Sequence, residues 1–521
     1  MAGTDQPARF LTLLARSPRW TRLCDLRPGL DFGLAESVLD AAGKLADSVL
    51  APLDLQADRQ GCRLEHGRVQ VPEGYAAAYA TLAKGGWIGL DLPETLGGSG
   101  LPKTFAALTG ALFDEACPAF MMAPGASRAA GHLLARHAPD LAADWVPALI
   151  AGDRTATICL SEPGAGSDVG RIRTRADVLD GIWRITGEKC WISFGDHRLT
   201  PVIGHLILAR SNMAAGTGGL SLYLCPSVWD GKPNGIHLLG IEEKLGLHGS
   251  PTCALRFEDA RAWAIGAEGQ GLRTLFDMIE LMRLQTGGQG LGLASRACRI
   301  AETYAQTRLQ GGAPTVPPVP IATHPDVVRQ LRLMRDRTEL LRAAVVELGL
   351  MLDLGDTALA ALLLPLIKNF GAETGFKVSS SGIQVLGGAG YTRDWPLERG
   401  LRDARILSIY EGTTGMQGLD FLERRLIRDS SGFAEFLGEL TPVAPAIAAR
   451  LRTIAATLTD CPDPMRRAAA ADAWLRAGYL GVTAWLAPRL DRDVTVALPE
   501  RLEVLAAEIA AALGSGQNTE A

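Results

Sequence analysis

Three stretches of this chain bring hydroxyls, glycines, aromatic rings and a carboxylate together at spacings that could do chemistry. The first is Cys159-Leu160-Ser161-Glu162-Pro163-Gly164-Ala165-Gly166-Ser167-Asp168, where an apolar strand runs into a Pro-Gly turn. Such a turn exposes successive backbone N–H groups, and glycine lets a ligand approach closely, which suits a phosphate or pyrophosphate. A bend capped by Ser and Asp fits the same residues. The second is Gly187-Glu188-Lys189-Cys190-Trp191-Ile192-Ser193. Strand alternation places Trp191 and Ser193 on one face, where an indole and a hydroxyl could take a planar heterocycle. A strand tryptophan serves a core equally well. The third is Gln384-Val385-Leu386-Gly387-Gly388-Ala389-Gly390-Tyr391, followed by Arg402-Asp403-Ala404-Arg405 and Ile409-Tyr410-Glu411-Gly412-Thr413. A carboxylate in the apolar surroundings of Glu411 has a raised pKa, as a base for a weakly acidic C–H proton needs. The alternative is a carboxylate stabilised at a helix N-terminus.

The elements that must position these residues differ in texture along the chain, and together they give an α+β fold, mainly α. Residues 1–155 are Ala/Leu-rich with helical spacing, as in Leu34, Val38, Leu39, Ala42, Leu45 and Ala46. The turn-rich piece 92–100 interrupts them. Residues 156–262 switch to short β runs, including 183–186, 206–210, 220–224 and 254–259, with turn residues spaced as in a sandwich or barrel. Residues 263–430 return to long helices, expected over 275–308 and 326–354, separated by a Pro/Gly loop at 311–320 that cannot be helix. Residues 431–521 form a helical extension whose last few residues read as a frayed end.

Composition excludes several classes. The chain has 521 residues, 47% of them hydrophobic and 21% charged, enough to bury a large core. A net charge of −5 without a basic block offers no footprint for nucleic acid. Nine cysteines without a CxxC pair read as reduced thiols in a cytoplasmic compartment. The eight histidines contain no HExxH and no metal-ligand cluster. No secretory signal and no apolar run of membrane-spanning length is expected. The 59 glycines exceed the usual ~7%, and many fall at 164/166, 387/388/390, 412 and along a helix at 287–292. None makes a Gly-x-Gly-x-x-Gly fingerprint between a strand and a helix, so no Rossmann fold is expected.

Taken in order, the motifs resemble the acyl-CoA dehydrogenase family over about residues 30–430. The matching segments are Gly86-Trp87, Leu92-Pro93-Glu94 with Gly97-Gly98, the 161–168 loop, and Lys189-Cys190-Trp191-Ile192-Ser193. They continue with Glu243-Lys244-Leu245-Gly246-Leu247-His248-Gly249-Ser250, Gly387-Gly388-Ala389-Gly390 and Tyr410-Glu411-Gly412-Thr413. Leu50-Ala51-Pro52-Leu53, Gly61-Cys62-Arg63-Leu64-Glu65 and the His324-Pro325-Asp326-Val327 helix start look most like the methylmercaptopropionyl-CoA dehydrogenase-like branch.

The resemblance implies an N-terminal helical domain, a middle β domain and a C-terminal four-helix domain, with FAD between the last two. It implies that Leu160 and Ser161 meet the flavin pyrimidine edge and that Gly166 and Ser167 hold the pyrophosphate region, Ser167 also lying near CoA. Trp191 and Ser193 would flank the isoalloxazine, the serine replacing the usual threonine. Arg308, Gln384, Gly387 and Gly388 would reach the adenine half of FAD from a neighbouring subunit, and Thr413 would be a further cofactor contact. Glu411 occupies the base position. Glu280, Arg283 and Gly412 would lie near the acyl-CoA substrate, although Glu280 and Arg283 also suit an i, i+3 ion pair. The Phe120-Met121-Met122 segment is a candidate for the acyl cavity or for ordinary core.

The implied partners are an acyl-CoA, electron-transferring flavoprotein as electron acceptor, and a second copy of the chain, a dimer in preference to a tetramer. Two positions depart from the family pattern: Gly311, where many relatives have an aromatic, and Gly415, where many have a flavin-contacting Gln. An oxidase of the same fold, passing electrons to oxygen, and a DNA-binding flavoprotein of this fold are the competing readings.

Overall fold

The computed structural model describes residues 6–212, 214, 216–490 and 497–514. The end read as frayed, 515–521, lies outside them. The chain forms two compact units, one of Lys44–Ala106 and Ala116–Gln285, the other of Met1–Gly43, Ala107–Glu115 and Thr286–Ala521.

The first unit is built on a seven-stranded sheet. Its strands are β1 (Arg154–Cys159), β2 (Arg175–Leu179), β3 (Ile182–Ser193), β4 (Val202–Arg210), β5 (Leu220–Pro226), β6 (Ile236–Ile241) and β7 (Thr252–Ile265). The order is β6-β7-β3-β2-β4-β1, and β5 pairs with both β7 and β4. That double pairing closes β7-β3-β2-β4-β5 into a barrel, which leaves fewer exposed strand edges. All four short β runs expected from the sequence fall inside these strands.

β4 is buried on both faces through its middle, whereas β7 alternates over much of its length. The difference arises because helices cover β4. A methyl group on Gly204 would come within 2.6 Å of the Trp145 ring. Glycine there therefore lets the helix Pro139–Ala151 lie directly on the strand. Trp145, Val146 and Leu149 share one core with Leu133, Leu206, Leu224 and Leu275.

The second unit is helical apart from a two-stranded ribbon, Leu309–Gln310 with Val319–Pro320, that flanks the expected Pro/Gly loop. Its long members are Pro325–Leu354, Thr357–Leu386 and the later part of Gly271–Thr307. The glycines at 287–292 prove to be packing residues. A methyl on Gly290 would overlap the Gly371 carbonyl, and one on Gly371 would lie 2.6 Å from the Gly287 Cα. The two helices thus cross with their backbones in contact.

Gly311 also has a local cause. Its φ is +78°, and a Cβ would sit 2.7 Å from the His324 ring, so a larger side chain does not fit this turn. The helical extension joins the same unit. Glu347, whose side chain is 2% exposed, receives Arg489 at 2.8 Å and Arg19 at 3.2 Å. Both guanidiniums lie over the Trp485 ring, so the N-terminal helices and the extension meet at one buried carboxylate. Among the described residues, no helix is long and apolar enough to cross a membrane.

Candidate active site

In the sheet unit, six of the expected site residues gather where β1 and β3 end. Leu160 and Ser161 follow β1 and are half-buried, while Gly166 and Ser167 are exposed at the tip of the following loop. The loop is closed on itself by Glu162 N–H to Ala165 O and Ala165 N–H to Glu162 O, both 3.0 Å. It is tied to β3 by Cys190 N–H to Ser161 O at 3.0 Å. A Cβ added at Gly164 or Gly166 would meet nothing within 4 Å, which leaves their backbone open to a ligand.

A β-bulge presents Trp191. The β7–β3 register runs Cys253 to Ile192 and then Leu255 to Lys189, so Cys190 and Trp191 together oppose Ala254. Trp191 sits at φ +63°, a conformation that β-bulges use to re-aim a side chain. Its indole is 62% exposed, with Ile192 buried and Ser193 half-buried beyond it. The alternative of a core tryptophan is thereby removed. An indole held outward beside an open glycine loop and a hydroxyl is a surface that a planar ring with a phosphate tail fits.

Beneath the loop lies a buried charge that the motif reading quoted without giving it a role. Lys189 is 1% exposed and its Nζ donates to Leu160 O at 2.9 Å, Glu162 Oε1 at 2.9 Å and Leu208 O at 2.8 Å. An ammonium has three donors, and all three are used. Glu162 in turn accepts from the backbone N–H of Arg173 at 2.7 Å and Thr174 at 3.0 Å. Burial opposes its charge, yet Lys189 and these hydrogen bonds hold its carboxyl below the ordinary value.

Arg283 is buried and Glu280 half-buried on the Gly271–Thr307 helix of this unit. Phe120 and Met121 are buried on Pro118–His137. The Phe120 ring packs edge-on against Tyr75 at 5.1 Å.

In the helical unit, Glu411 stands on a turn immediately before the helix Thr414–Leu419. Glu411 and Gly412 both have positive φ, +54° and +92°. Two consecutive left-handed residues turn the chain sharply, and a non-glycine at such an angle marks a constrained position. The constraint is visible. Gln417 Nε2 donates to the carbonyls of both Glu411 and Gly412 at 3.0 Å, and Lys368 Nζ donates to Gly412 O at 2.7 Å. Lys368 and Gln417 are each fully buried. Thr413 caps the helix by accepting from Met416 N–H at 3.4 Å. The preceding Tyr410 donates its hydroxyl to Gln289, and the buried Asp114 carboxyl is pushed well above its ordinary value by burial, a hydrogen bond with Gln289 opposing the shift.

Arg308, Gln384, Gly387 and Gly388 are all exposed in this unit. Tyr391, just beyond them, is 86% exposed. Gly415 is exposed as well.

Sequence reasoning missed Lys368 and Gln417. The one available signal was Lys368-Asn369 ending the apolar run 358–367, a charge with no place in a plain core helix.

Comparison with known proteins gives the family. The acyl-CoA dehydrogenase N-terminal domain matches residues 35–153, the middle domain 157–260 and the C-terminal domain 269–426. The chain belongs to the acyl-CoA dehydrogenase family of flavoprotein oxidoreductases.

It is 37% identical to 3-methylmercaptopropionyl-CoA dehydrogenase of Ruegeria pomeroyi over 78% of this chain and 73% of that one. It is 33% identical to the broad-specificity linear acyl-CoA dehydrogenase FadE5 of Mycobacterium tuberculosis over 87% of this chain and 80% of that one. In fold it is similar to butyryl-CoA dehydrogenase of Megasphaera elsdenii, with a TM-score of 0.67, 23% identity, and 75% of this chain and 97% of that one covered. It is also similar to Caenorhabditis elegans ACDH-11 in complex with C11-CoA, with a TM-score of 0.73, 22% identity, and 96% and 91% covered. The second match reaches into the helical extension, so that part of the fold has counterparts too.

Proposed function

We propose that the chain dehydrogenates an acyl-CoA thioester at its α,β-bond, with Glu411 as the base for the α-proton. The observation that carries this reading is the Glu411 turn. A carboxylate on two left-handed residues, with the carbonyls behind it held by Lys368 and Gln417, keeps its position while it gains and loses a proton. Bound FAD supplies the acceptor for the hydride that leaves the β-carbon.

The protein's own contributions are separate. Leu160, Ser161, Gly166 and Ser167 offer backbone and hydroxyl donors, Trp191 and Ser193 a stacking face with a hydroxyl, and Thr413 a further contact. Arg308, Gln384, Gly387 and Gly388 serve the FAD of a partner subunit. Ser167, Glu280, Arg283 and Gly412 are assigned to the acyl-CoA in this reading. In this reading the Glu411 backbone N–H would hold the thioester oxygen as charge builds there, a contact whose loss costs ~3 kcal/mol in comparable sites.

The domain division at 155, 262 and 430, the homodimer, electron-transferring flavoprotein as acceptor and a cytoplasmic setting belong to the same reading. Nine dispersed cysteines without a CxxC pair support the reducing compartment. Anaerobic mixing of the FAD-loaded protein with a panel of acyl-CoAs tests the proposal. Loss of the flavin's visible absorbance with at least one member is expected, and an unchanged spectrum with all of them contradicts it.

A further inference from the structure

Lys189 is more than a strut under the glycine loop. Its Nζ lies 2.9 Å from the carbonyl oxygen of Leu160, and that carbonyl belongs to the peptide whose N–H is Ser161's. In a trans peptide the C=O and N–H point in opposite directions, and the described chain has no cis bond. Lys189 is buried and Ser161 half-buried. The Ser161 N–H therefore points away from the ammonium. A positive charge on the carbonyl withdraws electron density through the peptide and makes its N–H a stronger donor, and low surrounding polarity enlarges the effect.

We propose that Lys189 is a positioning residue that both fixes the Leu160–Ser161 peptide and polarises its N–H toward the pyrimidine end of the flavin, favouring the reduced cofactor. This rests on the FAD reading given above. Reduction of a flavin places negative charge at its pyrimidine end, so a stronger donor there favours the reduced form over the oxidised one. Glu162 keeps the device in place. It shares the ammonium with two backbone carbonyls, and its own oxygens hold the Arg173 and Thr174 amides. One buried ion pair thus ties three chain segments, around residues 160, 173 and 208, to β3.

Removing one charge of a buried pair leaves the other uncompensated and is strongly destabilising, so Lys189→Met alone is a poor probe. The test uses the holoenzyme with two other variants. Lys189→Gln/Glu162→Gln removes both charges and keeps hydrogen-bonding groups at both positions. Lys189→Arg keeps a cation that can pair with Glu162 and donate to the Leu160 carbonyl. Four quantities are measured: the melting temperature and the hydrogen exchange of residues 160–174 without FAD, the FAD dissociation constant by fluorescence, and the midpoint potential of the bound flavin.

The double variant is expected to fold, to bind FAD about tenfold more weakly and to show a more negative potential, whereas Lys189→Arg keeps the wild-type potential. A double variant whose FAD affinity and potential both match the wild type overturns this inference while leaving the cofactor reading intact. A wild-type protein that binds no FAD overturns both.

Discussion

Gln417 reaches back from the first turn of its helix to hold Glu411, its side-chain amide donating to the Glu411 carbonyl at 3.0 Å and to the next carbonyl at the same distance. The contact spans one tight turn and is fully buried at Gln417. A methyl on Gly412 would come within 2.6 Å of the same amide nitrogen. The residue beside Glu411 is thus kept small by the group that orients the turn.

Gln417→Leu leaves the Glu411 carbonyl without this donor and Gly412 with Lys368 alone. Losing a buried hydrogen-bond partner costs about 1–3 kcal/mol, so the melting temperature should fall by several degrees. If the turn positions the base, kcat falls at least tenfold while FAD content per chain is unchanged. A variant with wild-type kcat would show that Gln417 serves stability alone.

Asp114 gives a prediction of opposite sign. Burial raises its carboxyl well above the ordinary value, so between that ordinary value and the raised one the folded chain holds a proton that the unfolded chain releases. Folding then becomes less favourable as pH rises through this window. Asp114→Asn removes the linkage and keeps the shape. It should raise the melting temperature at pH 8, and by more than at pH 5. A lower melting temperature at pH 8 would mean that the carboxylate is charged and paired.

The barrel carries two buried histidines that titrate the other way. Burial draws both His197 and His205 down to about 3, with Thr157 Oγ1 2.9 Å from His205 Nδ1 and Thr155 Oγ1 3.0 Å from His197 Nε2. Their folded values lie below the ordinary ~6.5, so the unfolded chain binds more protons across that interval. The stability they contribute is complete above about pH 6.5 and is lost as pH falls toward 3, by about 1.4 kcal/mol per pH unit for each histidine. His205→Gln should flatten the fall of stability between pH 6.5 and 4 in urea titrations. An unchanged slope contradicts the assignment.

The residues the sequence made legible share one property, which is that their chemistry is carried by neighbours in the chain. The 159–168 loop, the Trp191 strand and the Glu411 turn each announce themselves through local composition, and the barrel strands through alternation and turn spacing. What the sequence concealed depends on distant partners. Lys368 reads as an odd charge at the end of an apolar run until its bond to Gly412, 44 residues on, is seen. The glycines at 287–292 serve a helix crossing, and only the opposing Gly371 reveals what the missing side chains make room for. Lys189 was in plain view within a motif. Its role emerged only with the carbonyls of Leu160 and Leu208 around it. The bulge that turns Trp191 outward requires the register of β7, which no local pattern encodes.

The central claim is that Glu411 removes the substrate's α-proton, and Glu411→Gln tests it most directly. The variant is loaded with FAD and mixed anaerobically, in a stopped-flow spectrophotometer, with an acyl-CoA that reduces the wild type. The account predicts FAD and acyl-CoA binding within a few-fold of wild type, and reduction of the flavin slowed by at least a thousandfold. Reduction at the wild-type rate would contradict it and assign the base to another residue.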